Sequence, residues 1–99
     1  MVKHIVMWHL REGTPETADA ELIKSLLESL AGKIPGLLKI EVGVNFIEDA
    51  NASDVVLYSE FVDRAALKAY QNYPLHQAVV PEVKARAIER RSTDFVVLG

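Results

Sequence analysis

The sequence predicts an α+β fold of order β-α-β-β-α-β, and three observations carry that expectation. Two segments, near the start and the middle of the chain, alternate apolar and polar residues with the period of a strand. Between them, leucine and isoleucine recur every four residues, the spacing of one helix face. Prolines, glycines and a capping aspartate punctuate the junctions. At 99 residues the chain fits one domain, residues 1–99, long enough to bury a core without staples.

The first strand runs from Val2 towards Arg11, with Val2, His4, Val6, Trp8 and Leu10 on one face. Ile5 and Met7 make the second face partly apolar as well. Gly13 breaks it. Thr14-Pro15-Glu16 then reads as a helix start: a capping hydroxyl, a proline suited to the first turn, and an acid at the positive end of the dipole. Leu22, Leu26, Leu30 and Ile34, with Ile23 and Leu27 beside them, form its apolar stripe, and Gly32 with Pro35-Gly36 stops it. Leu38, Ile40, Val42, Val44 and Phe46 alternate with polar or small residues as the second strand. A polar loop from Glu48 to Asp54 leads into a third strand, Val55 to Val62, apolar on both faces. Asp63 caps a helix from Arg64 to about Asn72 that turns Ala66, Leu67 and Tyr70 inward. Pro74 ends this helix. Leu75, Val79 and Val83 resume helical spacing, with Pro81 expected to bend or interrupt it, and Ile88 to Leu98 reads as the closing strand.

This order is the split βαβ, or ferredoxin-like, pattern. Two helices on one face of a four-stranded sheet leave the other face bare, although strands one and three carry apolar residues there. A second copy of the chain is the expected cover, giving a homodimer.

Composition narrows the function without naming it. Hydrophobic residues at 49% and charged residues at 25% fit a globular chain rather than a disordered one. Eleven Lys+Arg against fourteen Asp+Glu leave a net charge of −3, which disfavours nucleic acid and anionic membrane surfaces as partners. With no cysteine there is no disulfide, thiolate metal site or cysteine nucleophile. No apolar run approaches a membrane span and the first residues lack the shape of a signal peptide, so the expected location is cytoplasmic. The five glycines are scattered, with no phosphate-binding loop and no nucleophile elbow around any serine.

The histidines are the remaining candidates for chemistry. His4 shares a strand face with Val6 and Trp8, where a lone histidine is commonly a hydrogen-bonded core or rim residue. His9 has the opposite parity, so the two cannot share a metal on a regular strand, and it reads as surface or interface. His76 opens the helical segment after Pro74, six residues beyond Tyr70. A helix N-terminus disfavours its cationic form, which suits a general base. On spacing alone, Tyr70 as core and His76 as cap-region surface is the favoured reading. No histidine cluster has zinc-ligand spacing, so neither metal nor cofactor is expected.

Lys3-His4-Ile5-Val6, Ile34-Pro35-Gly36, Ile40-Glu41-Val42-Gly43-Val44-Asn45, Ser59-Glu60-Phe61, Ala66-Leu67-Lys68-Ala69-Tyr70-Gln71, Pro74-Leu75-His76 and Asp94-Phe95, in this order, resemble the stress-responsive α/β barrel (Dabb) family along essentially the whole chain. The resemblance implies a ferredoxin-like sandwich whose sheets pair face to face in a dimeric α/β barrel. One plant branch of that family, the olivetolic acid cyclases, closes a polyketide without metal or cofactor. It implies a catalytic histidine at His76, its tyrosine partner at Tyr70 and a pocket histidine at His4. The expected site is therefore His76 and Tyr70 as catalytic candidates, with His4, Trp8, Val55, Leu57 and Leu27 binding substrate. This sequence departs from the branch at Val55 and Tyr73, where histidines are missing, and at Ala87, Arg90 and Ser92, where large apolar pocket residues are replaced. Arginine and serine there suit a smaller or more polar ligand. Two expectations follow: a small dimeric barrel that binds a small molecule between sheet and helices, or a cofactor-independent lyase or cyclase using a Tyr70–His76 dyad as general base on a β-keto or phenolic substrate.

Overall fold

Four strands pair as one antiparallel sheet in the order β2-β3-β1-β4. The structure, a computed structural model, describes residues 1–11 and 16–98. Its elements are β1 (Val2–Leu10), α1 (Glu16–Glu28), β2 (Leu37–Val44), β3 (Val55–Phe61), α2 (Arg64–Asn72), α3 (Pro74–Arg86) and β4 (Ala87–Val96). This is the ferredoxin-like arrangement the sequence predicts, with its second helical segment divided in two. The Gly13 break, the Thr14 cap and Pro15 lie outside the described residues, as does the side chain of Glu16.

β1 is central and sets the two sides of the sheet. Val2, His4, Val6, Trp8 and Leu10 are all buried against the helices, whereas Met7 on the opposite side is 44% exposed. β3 repeats the pattern with Val55, Leu57, Ser59 and Phe61 buried. Asp63 caps α2 as expected, accepting from the Ala66 N–H at 2.8 Å. Tyr73, forced out of the helical region by Pro74, is extended at φ −72° and ψ 134° and separates α2 from α3. Gly36 turns the chain into β2 at φ +82°, and a Cβ there would lie 2.6 Å from the Ala66 Cβ, so glycine is required on both counts.

Several elements differ from the sequence reading. The buried stripe of α1 is Ala20, Ile23 and Leu27, continued by Leu30 and Ile34, while Leu22 is exposed and Leu26 half-buried. A strict four-residue row advances about 40° around the helix at each step, so it cannot stay on one buried face, whereas mixed steps of three and four can. β2 begins at Leu37 and ends at Val44. A register shift between Leu37 and Lys39 leaves Leu38 56% exposed, and Phe46 lies beyond the strand at 90%. β3 stops one residue early, leaving Val62 exposed. α3 runs through Pro81 without interruption; Gln77, whose carbonyl loses its helical donor there, is exposed to solvent. Within α3, Val79 and Val83 are buried but Leu75 is exposed. β4 begins at Ala87 and ends at Val96.

The free edge of β2 is closed by side chains of α1. The Val42 N–H donates to the Glu28 carboxylate at 2.9 Å, the Lys24 ammonium donates to the Val42 carbonyl at 2.7 Å, and the two side chains pair at 2.9 Å. Lys24 and the Val42 N–H together hold the Glu28 carboxyl below the usual glutamate range. An edge engaged in this way offers little to another strand.

Candidate functional site

Strand parity and two helix faces bring the candidate side chains together. Antiparallel register sets His4 of β1 opposite Ser59 of β3 and Asp94 of β4. The Ser59 hydroxyl donates to the His4 carbonyl at 2.9 Å, and the Asp94 carboxylate engages His4 Nδ1. A carboxylate accepts, so Nδ1 carries the proton and Nε2 is the ring's other polar atom. His4 is buried, edge-on to both Phe61 and Tyr70 with ring centroids 6.3 Å away.

Tyr70 projects from α2 into this aromatic cluster and is wholly buried. Its ring lies 4.9 Å from that of Phe61 and 4.2 Å from that of His76. Burial pushes its hydroxyl up to about 12, so it is a neutral phenol at ordinary pH. His76, third residue of α3, is half-buried. Desolvation is the main cause lowering its pKa; the Gln71 backbone opposes it, and the electrostatic influence of His4 and Arg90 lowers it further. The neutral ring expected at this helix start is therefore favoured, with burial rather than the dipole as the main cause.

The expected dyad is present as a stack and not as a hydrogen bond. The Tyr70 hydroxyl and His76 Nδ1 are both buried without hydrogen-bond partners. Tyr70 thus supports the His76 ring by packing and does not orient it through its hydroxyl.

Beside this pair lies a cavity of about 400 Å³. β1 supplies His4, Val6 and Trp8, β3 supplies Leu57 and α1 supplies Leu27. α3 contributes one face, His76, Val79, Val80, Val83 and Lys84, spaced at three, four, seven and eight residues from the first. Arg90 enters from β4, where it sits directly opposite Trp8. The volume is that of a small-molecule site, and the wall is mainly apolar with a few polar groups.

Five of the seven predicted site residues line this cavity: His76, His4, Trp8, Leu57 and Leu27. Tyr70 stands behind His76 rather than in the wall. Val55 does not belong to it; one turn of the strand pleat beyond Leu57, it is paired with Trp8 and Val44 and packed into the core at 1% exposure. His9 is apart from the other histidines, half-exposed, with Nδ1 3.8 Å from Asp54. The sequence reading missed Asp94, Lys84 and Arg90 as members of one site. Arg90 was legible as a pocket position, but Asp94 meets His4 only through the β1–β4 register, which no local pattern reveals.

Among the described residues no three His, Asp or Glu side chains converge as a metal site; His4 and Asp94 meet without a third ligand. None of the described helices is long and apolar enough to cross a membrane.

Comparison with known proteins agrees with this architecture. The pattern of the Stress responsive A/B Barrel Domain family, Dabb, matches residues 2–97. A dimeric protein of unknown function with a ferredoxin-like fold from Bacteroides fragilis NCTC 9343 is 32% identical, with a TM-score of 0.85 over 95% of this chain and 93% of that one. A dimeric ferredoxin-like protein of unknown function from Thermobifida fusca is 22% identical, with a TM-score of 0.85 over 97% and 90% of the two chains. A hydroxynitrile lyase from Passiflora edulis shares the fold at 14% identity, with a TM-score of 0.83 over 98% and 93%. A search of the curated proteins finds no match.

Proposed function

We propose a ligand-binding role from one premise: this chain belongs to the stress responsive A/B barrel (Dabb) family. The protein acts as a cytoplasmic homodimer that holds a small molecule in the cavity between α3 and the sheet. The observation that carries this reading is a mainly apolar cavity whose wall includes His76, a half-buried ring with an unpartnered Nδ1. Leaving His76 Nδ1 buried and unpaired costs about 1–3 kcal/mol, and packing alone gives no return for that cost. A bound polar group offers one.

Self-association has separate support. The side of the sheet away from the helices presents Ile5, Met7, Val56, Tyr58 and Phe95, and similar structures are described as dimeric. Pairing two such faces would bury more than about 1,000 Å², the range of a stable contact. The ligand cavity lies on the opposite side, so each protomer keeps its own. The proposal does not extend to a lyase or cyclase activity, because Tyr70 makes no hydrogen bond that would orient His76 as a base.

A thermal-shift screen of phenolic, β-keto and carboxylic compounds tests the ligand. At one hundred times its Kd a true ligand stabilises by about 2.7 kcal/mol, a Tm rise of about 11–22 °C for a chain this size. His76→Ala should remove that shift while leaving the unliganded Tm close to wild type. A screen in which nothing moves the wild-type Tm contradicts the ligand, and sedimentation as a monomer at micromolar concentration contradicts the dimer.

A further inference from the structure

The charge around the cavity identifies the class of its ligand. Lys84 lies eight residues beyond His76 on the same face of α3, about 12 Å along the helix. Arg90 approaches from β4 beside Trp8, close enough to His76 to lower its pKa. Neighbouring cations are taken up by acids: Arg86 by Asp19 at 3.4 Å and Glu82 at 3.0 Å, and Arg91 by Glu89 at 3.1 Å. Among the described residues neither Lys84 nor Arg90 meets a carboxylate; Arg90 reaches only the Ser92 hydroxyl, at 3.3 Å. Asp94, the acid nearest the inner end, is engaged by His4. A chain with a net charge of −3 thus lines one apolar cavity with two uncompensated cations.

We infer that the ligand is an organic carboxylate with an apolar body, its carboxylate held by Arg90 and Lys84 and its body laid along Val6, Leu57, Val79 and Val83. This rests on the reading of the cavity as a ligand site. One guanidinium fork can take both oxygens of a carboxylate, and one ammonium adds a second charge-assisted donor to it. A phosphate monoester, with up to two charges and three acceptor oxygens, also suits two cations, so tighter binding of 4-butylphenyl phosphate than of 4-butylbenzoate overturns the carboxylate assignment. The apolar wall excludes a small, fully polar acid, which would leave Val79, Val83 and Leu57 facing trapped water.

The test uses two probes of matched shape, 4-butylbenzoate and the neutral 4-butylbenzamide, titrated against the full chain and followed by the fluorescence of Trp8. The benzoate should bind at least about tenfold more tightly than the amide, since a charge-assisted hydrogen bond is worth more than a neutral one. Arg90→Gln and Lys84→Gln, both at exposed positions, should each remove most of that preference, weakening the benzoate far more than the amide. Equal binding of benzoate and amide overturns the carboxylate inference while the ligand site stands. Binding of neither probe, with Trp8 fluorescence unmoved, overturns this inference and counts equally against the cavity as a ligand site. A preference that survives in both variants places the anion elsewhere and also overturns the inference.

Discussion

The helix-facing side of the sheet is finished at its β2 edge and left open at its β4 edge. On the β2 side, Lys24 and Glu28 close the edge, Val42, Phe61, Ile23, Leu30 and Ile34 are buried, and the one buried polar side chain of β3, Ser59, is hydrogen-bonded to the His4 carbonyl. On the β4 side, Arg90, Ser92, Asp94 and Val96 face the helix layer yet are all exposed, and the space beneath α3 is a cavity. Folding explains the first half completely: apolar area is removed from water and backbone groups are paired. It does not explain the second, where an unpartnered imidazole nitrogen and two cations without a carboxylate partner border a cavity. Residues retained against stability in this way mark function more reliably than residues that pack.

The largest expected effect lies in the closed half. Val42→Asp buries a charge with no partner and should cost about 4 kcal/mol or more, whereas Glu41→Gln, one residue away on the exposed side, should stay within about 0.5 kcal/mol. Equal melting temperatures would break the assignment of faces in β2. Gly36→Ala should cost about 2–4 kcal/mol, combining a positive φ with the 2.6 Å approach to Ala66; denaturant unfolding measures it.

Effects at the open half should be smaller and of different sign. Tyr70→Phe removes a buried hydroxyl without a partner and keeps the stack on His76, so the unliganded protein should gain up to about 1 kcal/mol. The same variant should bind ligand less well if the hydroxyl serves it, and calorimetry with and without ligand separates the two. The pH response sharpens the contrast further. His76 has its pKa lowered in the folded state, so between that value and the ordinary 6.5 the unfolded chain binds more protons. Its contribution is therefore fully present above about pH 6.5 and is lost as the pH falls below it. Replacement by asparagine should flatten the fall in Tm between pH 7.5 and pH 5 by a small amount, and an unchanged profile would show that His76 is not buried as described.

The two halves also differed in how far the sequence revealed them. Order and polarity of the elements were legible because β1, β3 and α2 announce themselves locally: alternation in Val2–Leu10, alternation in Val55–Phe61, and the Asp63 cap. The register of β2 was not, because a one-residue irregularity at Leu38 is invisible in an alternating pattern that continues through it. The α1 stripe was displaced because leucines at Leu22 and Leu26 are as apolar as the residues that face the core. At the site, His4, Trp8 and His76 could be named from one strand face, one helix start and a family resemblance. The partners that give them chemical meaning, Asp94 for His4 and Lys84 with Arg90 for the cavity, come from a strand at the other end of the chain or from the far end of a helix. The antiparallel pairing of β1 with β4 places Asp94 and Arg90, and the packing of α3 over the sheet places Lys84.

The central claim is that the cavity between α3 and the sheet is the ligand site. It is tested most directly by the imidazole NMR signals of the three histidines during titration with 4-butylbenzoate. His76 and His4 line the cavity, whereas His9 sits apart, near Asp54. The account predicts that the ring signals of His4 and His76 shift together and saturate at one Kd while those of His9 stay fixed. Saturable binding that moves His9 alone, or none of the three, would contradict it.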